Sequence, residues 1–216
     1  METPAENGQD VELQLSIIEE SVHLLGEQVQ GSGCEDGAVN LRVDPDIKKC
    51  QYEHGVCMVA TFGGKTAEFV TNDPTRATTK ISFMFGAKFD SPRLRAAACV
   101  IINALSGFLC INRVLHACPP GSHQPCLEEL KVMIKGRKVC LIGYSSRLEM
   151  ELQAFLADRI EDAEVIVVNG DGMVSDVGSG SIKCPYPGKE IVFIGPSTSG
   201  VAILRKIPHW CPYGRA

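Results

Sequence analysis

The segment HACPPGSHQPC, residues 116–126, places His116, Cys118, His123 and Cys126 in the spacing H-x-C-x4-H-x2-C. Imidazole and thiolate together suit borderline and soft divalent ions. The four residues are therefore candidate ligands for a transition metal, Zn(II), Ni(II), Co(II) or Fe(II). The spacing matches no zinc-finger pattern, and no C-x-x-C pair occurs in the chain. The zinc-deaminase arrangement, with its Glu and its C-x-x-C, is absent as well. Two other readings stay open. One is a stiff, proline-containing linker whose thiols are incidental. The other is a catalytic Cys–His pair, although no oxyanion-hole signature accompanies it. His209 and Cys211 in HWCPY, and Cys110 just upstream, are further donors that folding could bring to this stretch.

A second set of candidates lies in three short loops: GYSS (143–146), NGDG (169–172) and GPSTSG (195–200). Gly195 and Gly200 permit close backbone approach. Ser197, Thr198 and Ser199 put three hydroxyls at the start of a helix, more than a cap needs. Unpaired amides and the helix dipole favour an anion there, so the loop is a candidate for a phosphate or carboxylate. Gly143, Ser145, Ser146, Asn169 and Asp171 would frame the same ligand. Asp171 and Asp176 could also meet a hard cation or substrate hydroxyls, but Asn-Gly-Asp-Gly is strong turn chemistry by itself. No Walker A lysine and no GxGxxG occur, which disfavours nucleotide hydrolysis and ordinary dinucleotide binding.

Each loop follows a compact apolar run: KVCLIG, AEVIVVNG and EIVFIG. Runs without alternation, separated by helical patterns, predict a parallel sheet buried on both faces. Ligands of such sheets bind at the carboxyl ends of the strands, where the three loops would lie. Helices are expected over LEELKVMIK, over about residues 147–160, and over VAILRKI. Upstream the pattern differs. Residues 11–29 carry an apolar stripe (Val11, Leu15, Ile18, Val22, Leu25) behind a potential Asp10 cap. AVNLRVD alternates, and VCMVATF and TAEFVT flank Gly63-Gly64-Lys65 as a hairpin. TNDPTRATT reads as a polar loop. Residues 91–109 form the strongest helix, capped by Ser91 with Pro92 at its first position, and with Leu94, Ala98, Ile101, Leu105 and Phe108 facing the core. Asn103 is the polar exception and reads as a hydrogen-bonded or partly exposed residue.

The expected architecture is α/β: a disordered stretch over 1–10, a small α+β domain with an antiparallel sheet over 11–115, the Cys/His-rich linker 116–126, and a Rossmann-like parallel-sheet domain over 127–216. Net charge is −5 and no long basic run occurs, which argues against nucleic acid as the main partner. The longest apolar stretch, 96–111, is broken by Asn103, Ser106 and Gly107, so no membrane span is expected. Ten cysteines is high usage. The first residues lack the apolar core of a signal peptide, and Cys57, Cys99 and Cys140 sit inside apolar segments. Reduced thiols in a cytoplasmic protein are expected rather than a disulfide framework.

The order of these segments resembles a prokaryotic family of unknown function, the DUF4213/DUF364 type, labelled as heavy-metal chelation proteins. The resemblance rests on SPRLRAAACVIINALSGFL, with its Ile102-Asn103-Ala104-Leu105, and on Ile194-Gly195-Pro196-Ser197 at a strand end, and spans roughly residues 11–204. It implies an enolase-N-terminal-like domain before the Rossmann-like one, and handling of a metal ion or anionic metal chelate, in connection with metal-cofactor metabolism. It carries over no catalytic residues. The Cys/His stretch and the short C-terminal domain are particular to this chain. Three functions are weighed: metal or metal-chelate binding between the domains, a transferase acting on a phosphorylated or nucleotide-like small molecule at the strand-end loops, and a structural component of a homo-oligomer.

Overall fold

Strand patterns of two kinds sort the chain into two sheets. The structure, a computed structural model, describes residues 16–176, 182 and 186–216. Helix α1 spans Ile17–Val29. Its cap is Ser16, which forms a capping box with Glu19: the Glu19 amide donates to Ser16 Oγ at 3.3 Å, and the Ser16 amide to Glu19 Oε2 at 2.7 Å. The expected cap Asp10, the stripe residues Val11 and Leu15, and the stretch 1–10 lie outside the described residues.

Strands β1 (Ala38–Asp44), β2 (Val56–Phe62), β3 (Lys65–Thr71) and β4 (Ala77–Lys80) form an antiparallel sheet in the order β3-β2-β1-β4. Gly63 and Gly64, at φ 54° and 79°, close the β2–β3 hairpin as a two-residue turn that demands positive φ at both positions. β4 corrects the expectation of a loop over 71–79. Its sequence, ATTK, sits almost wholly exposed on a sheet edge, so no apolar alternation marks it.

After the short α2 (Ser82–Phe85) comes α3 (Pro92–Phe108), capped by Ser91 as expected. It packs on β2 and β3 with one side and on the C-terminal half with another. Nearly every residue from Ala96 to Gly107 is buried, a wider face than the predicted stripe, whereas Leu94 and Phe108 at its ends are exposed.

Helix α4 (His123–Ile134) leads to β5 (Val139–Ile142), followed by α5 (Ser146–Glu151), β6 (Val165–Val168), α6 (Gly170–Val174), β7 (Glu190–Ile194), α7 (Ser199–Arg205) and β8 (His209–Trp210). The helix expected over 147–160 is one short helix and two 3-10 turns, at Gln153–Phe155 and Ile160–Asp162. α4 starts inside the presumptive linker, so His123 and Cys126 are helical residues. Strands β5 to β8 pair in parallel in the order β5-β6-β7-β8. Ile166 and Val168 join an apolar cluster shared with β1–β3, α1 and α3. Val165 and Val167 join a second one with α4 and α5. Burial on both faces is why these strands read as unbroken apolar runs. No helix among the described residues is long and apolar enough to cross a membrane.

Candidate functional site

Parallel register brings the ends of β5, β6 and β7, at Gly143, Asn169 and Gly195, to one edge of the sheet. The strand order never reverses among the described residues, so this edge has no switch-point crevice of the kind that holds dinucleotides. The β1–β2 connection, residues 45–55, covers it instead. Asn169 ties the two: its Nδ2 donates to Tyr52 O at 3.2 Å and to Tyr144 O at 2.8 Å, and its Oδ1 accepts from the Gly172 amide at 3.0 Å. Asp171 Oδ2 accepts the Tyr144 amide at 3.0 Å. Gly143 is required here, because a Cβ would stand 2.0 Å from Asn169 Oδ1. Ser145 caps α5, and Ser146 is its exposed first residue. GYSS and NGDG therefore bind one another. Asp176 takes the guanidinium of Arg95.

GPSTSG is buried, and its polar groups have protein partners. Ser197 Oγ accepts the Val70 amide at 2.9 Å, Thr198 Oγ1 donates to Ile194 O and Gly195 O at 3.1 Å, and Ser199 Oγ donates to Val114 O at 2.6 Å and accepts from Asn112 at 2.9 Å. The Gly200 amide donates to Asn103 Oδ1 at 2.8 Å. The Ser197 amide does hold an anion, but one from the same chain: it donates to Glu53 Oε1 at 3.2 Å. Burial pushes the Glu53 carboxyl up to about 7, although contacts with Ser197 draw it down. Its second oxygen, Oε2, is buried without a partner.

The Cys/His stretch divides. His116 turns to β3: its Nδ1 lies 3.0 Å from Glu68 Oε1 and its Nε2 3.3 Å from Thr66 Oγ1, while Glu68 Oε2 accepts the Ala117 amide at 2.9 Å. His123 opens α4. Burial and the nearby Arg147 lower its pKa, and its Nε2 is buried without a partner. Cys118 and Cys126 are buried. Cys50 is raised well above an ordinary thiol by burial, then by Glu53, Cys211 and Cys118. Cys211 is pushed up to about 12 by burial, then by Glu53, Cys118 and Cys126. Cys118 is raised by burial and then by Cys126. Cys50, Cys118 and Cys211 thus each feel the charge of Glu53. The C-terminal strand brings Cys211 there, and Arg215 secures it: the Leu115 amide donates to Arg215 O at 2.7 Å and Arg215 Nε to Ala117 O at 2.9 Å. His209 does not join, since its Nε2 is 2.9 Å from Gly195 O.

The Tyr52 hydroxyl donates to Cys126 Sγ at 3.5 Å, and Arg215 draws the Cys118 thiol down. Such donors are what stabilise thiolate over thiol. Around them lies an apolar shell from the second cluster, including Tyr52, Ala117, Leu127 and Ile194. Among the described residues, no three His, Cys, Asp or Glu side chains already close around one ion position. All nine described cysteines are free thiols, and Cys184 lies outside the described residues.

Sequence reasoning missed Cys50, Tyr52 and Glu53. The available signal was length: the β1–β2 connection is about twice a usual hairpin loop, and long connections in compact folds are commonly functional. Comparison with protein-family models, curated proteins and solved structures finds no match.

Proposed function

We propose that this protein binds a thiophilic transition-metal centre where the β1–β2 connection closes the edge of the parallel sheet. One observation carries the reading: Cys50 and Cys126 lie in one buried apolar cluster, the Tyr52 hydroxyl donates to Cys126 Sγ at 3.5 Å, and the pairing of His116 with Arg215 brings the segments of Cys118 and Cys211 together beside them. Soft thiolates select Zn(II), Cu(I) and iron over hard cations. A bound cation would also lower the thiol pKa values that burial has raised, because ligation needs the deprotonated form. Glu53, whose charge acts on Cys50, has a buried carboxylate oxygen, Oε2, without a partner. Orphaned polar atoms of this kind are where a missing ion or ligand is to be sought. The reading replaces the two histidines of the sequence-based ligand set with Cys50 and Cys211. The alternative of a transferase for phosphorylated substrates relies on amides and hydroxyls of GPSTSG that this fold already pairs.

The test is elemental analysis of untagged protein purified anaerobically, beside Cys50→Ser/Cys211→Ser and, as a control, Cys99→Ser, whose thiol lies in the α3 core. Near-stoichiometric metal in the parent and the control, lost from the double variant while its circular dichroism is kept, is the expected result. Well-folded parent protein that holds no metal, and takes up none when offered Zn(II), Co(II) or Fe(II), overturns the reading.

A further inference from the structure

We propose that the groove between α1 and α2 is a second binding site, and that it takes an organic cation: an ammonium group carried on an aromatic or aliphatic body. The groove shares no residue with the candidate metal centre, so the two readings stand or fall separately.

The groove is a cavity of about 550 Å³, within the range of small-molecule sites. Its apolar part comes from how two helices meet. Val22 on α1 and Met84 on α2, each 5% exposed, lie at its base. α2 is one turn long and ends at Gly86, which leaves Phe85 36% exposed beside α1. Gly26 of α1 gives that ring its place. A Cβ on Gly26 would touch the Phe85 ring, 3.4 Å from Cδ1 and Cε1, so any longer side chain there would occupy the groove. Glycine is unfavourable inside a helix, and here it keeps the space beside the ring open. Phe89 adds a second aromatic ring to the lining.

The charged lining is of one sign. Glu19, Glu27 and Glu35 line the cavity, and no Lys or Arg does. Two of these carboxylates are held by the backbone. Glu19 Oε2 accepts the Ser16 amide at 2.7 Å, and Glu35 Oε1 accepts the Gly31 amide at 2.5 Å. Each keeps its other oxygen for a ligand. Glu27 meets the imidazole of His23, with 3.5 Å between Oε1 and Nδ1, in a pair that is largely exposed. Carboxylates without a neutralising Lys or Arg attract a cation and repel an anion. The faces of Phe85 and Phe89 attract a cation as well, and most of all one with a hydrocarbon body. A bare metal ion would gain nothing from Val22 and Met84. The start of the chain does not complement the groove either: residues 1–15 carry Glu2, Glu6, Asp10 and Glu12 and no Lys or Arg. An amphiphilic ammonium satisfies both halves of the lining.

The experiment is isothermal titration calorimetry of the full chain with three probes of one body: 4-phenylbutylammonium, 4-phenylbutanol and 4-phenylbutyrate. The ammonium should bind about tenfold tighter than the alcohol, with the carboxylate weakest. Glu27→Gln/Glu35→Gln should bring the ammonium within about threefold of the alcohol and leave the alcohol's affinity unchanged. Gly26→Leu fills the groove and replaces a poor helix former with a good one, so it should abolish binding of all three probes without lowering Tm. If that variant misfolds, amide NMR shifts of the parent on adding the ammonium decide, and they should be confined to residues 19–35 and 84–89. Equal affinity for the three probes, or tightest binding of the carboxylate, overturns the proposal. So does an ammonium that fails to bind at about 10 mM. Binding that survives Gly26→Leu, or shifts centred elsewhere, places the probe outside the groove and overturns it too.

Discussion

Glu53 and His116 are buried or half-buried titratable side chains at the junction of the two sheets, and their surroundings give them opposite duties. The Glu53 carboxyl is pushed up to about 7 by burial, from 4.5. A carboxyl raised on folding binds its proton more tightly in the folded chain. Its contribution is therefore fully present below about pH 4.5 and is lost as pH rises through about 7. Glu53→Gln keeps the shape and removes the charge. In metal-free protein this variant should be more stable than the parent near pH 8, by up to about 3 kcal/mol, with the difference shrinking toward pH 4. Chemical denaturation across that range checks it, and a variant less stable than the parent near pH 8 would mean that the Ser197 contacts outweigh desolvation. His116 instead holds Glu68, which is 6% exposed. His116→Gln should cost about 1–3 kcal/mol, because Glu68 loses one of its two partners. Metal content should not change. Loss of metal from a folded His116→Gln protein would restore the histidine to the ligand set.

Among the elements, α3 does more than fill the core. Asn103, fully buried on it, donates to Glu68 O, Pro196 O and Ser197 O, each at 3.2 Å, and accepts the Gly200 amide. One side chain thus latches β3 to the start of α7. Asn103→Leu retains most of the volume but takes their partner from the Gly200 amide and Glu68 O, while Pro196 O keeps Ser199, so thermal or urea unfolding should report a loss of about 2–3 kcal/mol. A loss below about 1 kcal/mol would show that water or relaxation satisfies those groups. The sequence marked this helix through Ser91, Pro92 and its alanines, and marked Asn103 as an oddity, but the three carbonyls it serves come from segments far away in the chain. The same limit runs through the fold. β1, β2, β3 and β5–β7 were legible because alternation or an unbroken apolar run records how many of their faces are covered. β4 was not, since an edge strand of ATTK leaves no apolar record. The site was half legible. Cys118, Cys126 and Cys211 stood out by type, whereas Cys50 and Glu53 sit in a polar connection whose role depends on the sheet it lands on. GPSTSG showed its anion-holding chemistry in sequence, but nothing local could say that the anion would be Glu53.

At the scale of the molecule, the two sheets share one apolar cluster through α1, α3 and α7, and of the four thiols one, Cys50, comes from the N-terminal half and three from the rest. A shared core makes separate unfolding of the halves costly. Trp210, the single tryptophan, lies beside Cys211 at the edge of the parallel sheet, so its fluorescence should change in the same denaturant transition as the far-ultraviolet circular dichroism of the whole chain. Two separated transitions would mean that the halves are independent domains. The four thiols then add a linkage. A centre that binds only when the β1–β2 connection, the start of α4 and the C-terminal strand are docked together binds the folded chain and not the unfolded one. At a free concentration one hundred times its dissociation constant it stabilises the fold by about 2.7 kcal/mol. For a chain of this size that is a rise in Tm of about 5–10 °C. The rise should reverse on chelation and be absent from Cys50→Ser. Because Cys50 is the one thiol of the four contributed by the N-terminal half, a rise that survives its loss would confine the metal to the C-terminal half and leave the docking of that connection to Asn169 and Glu53 alone.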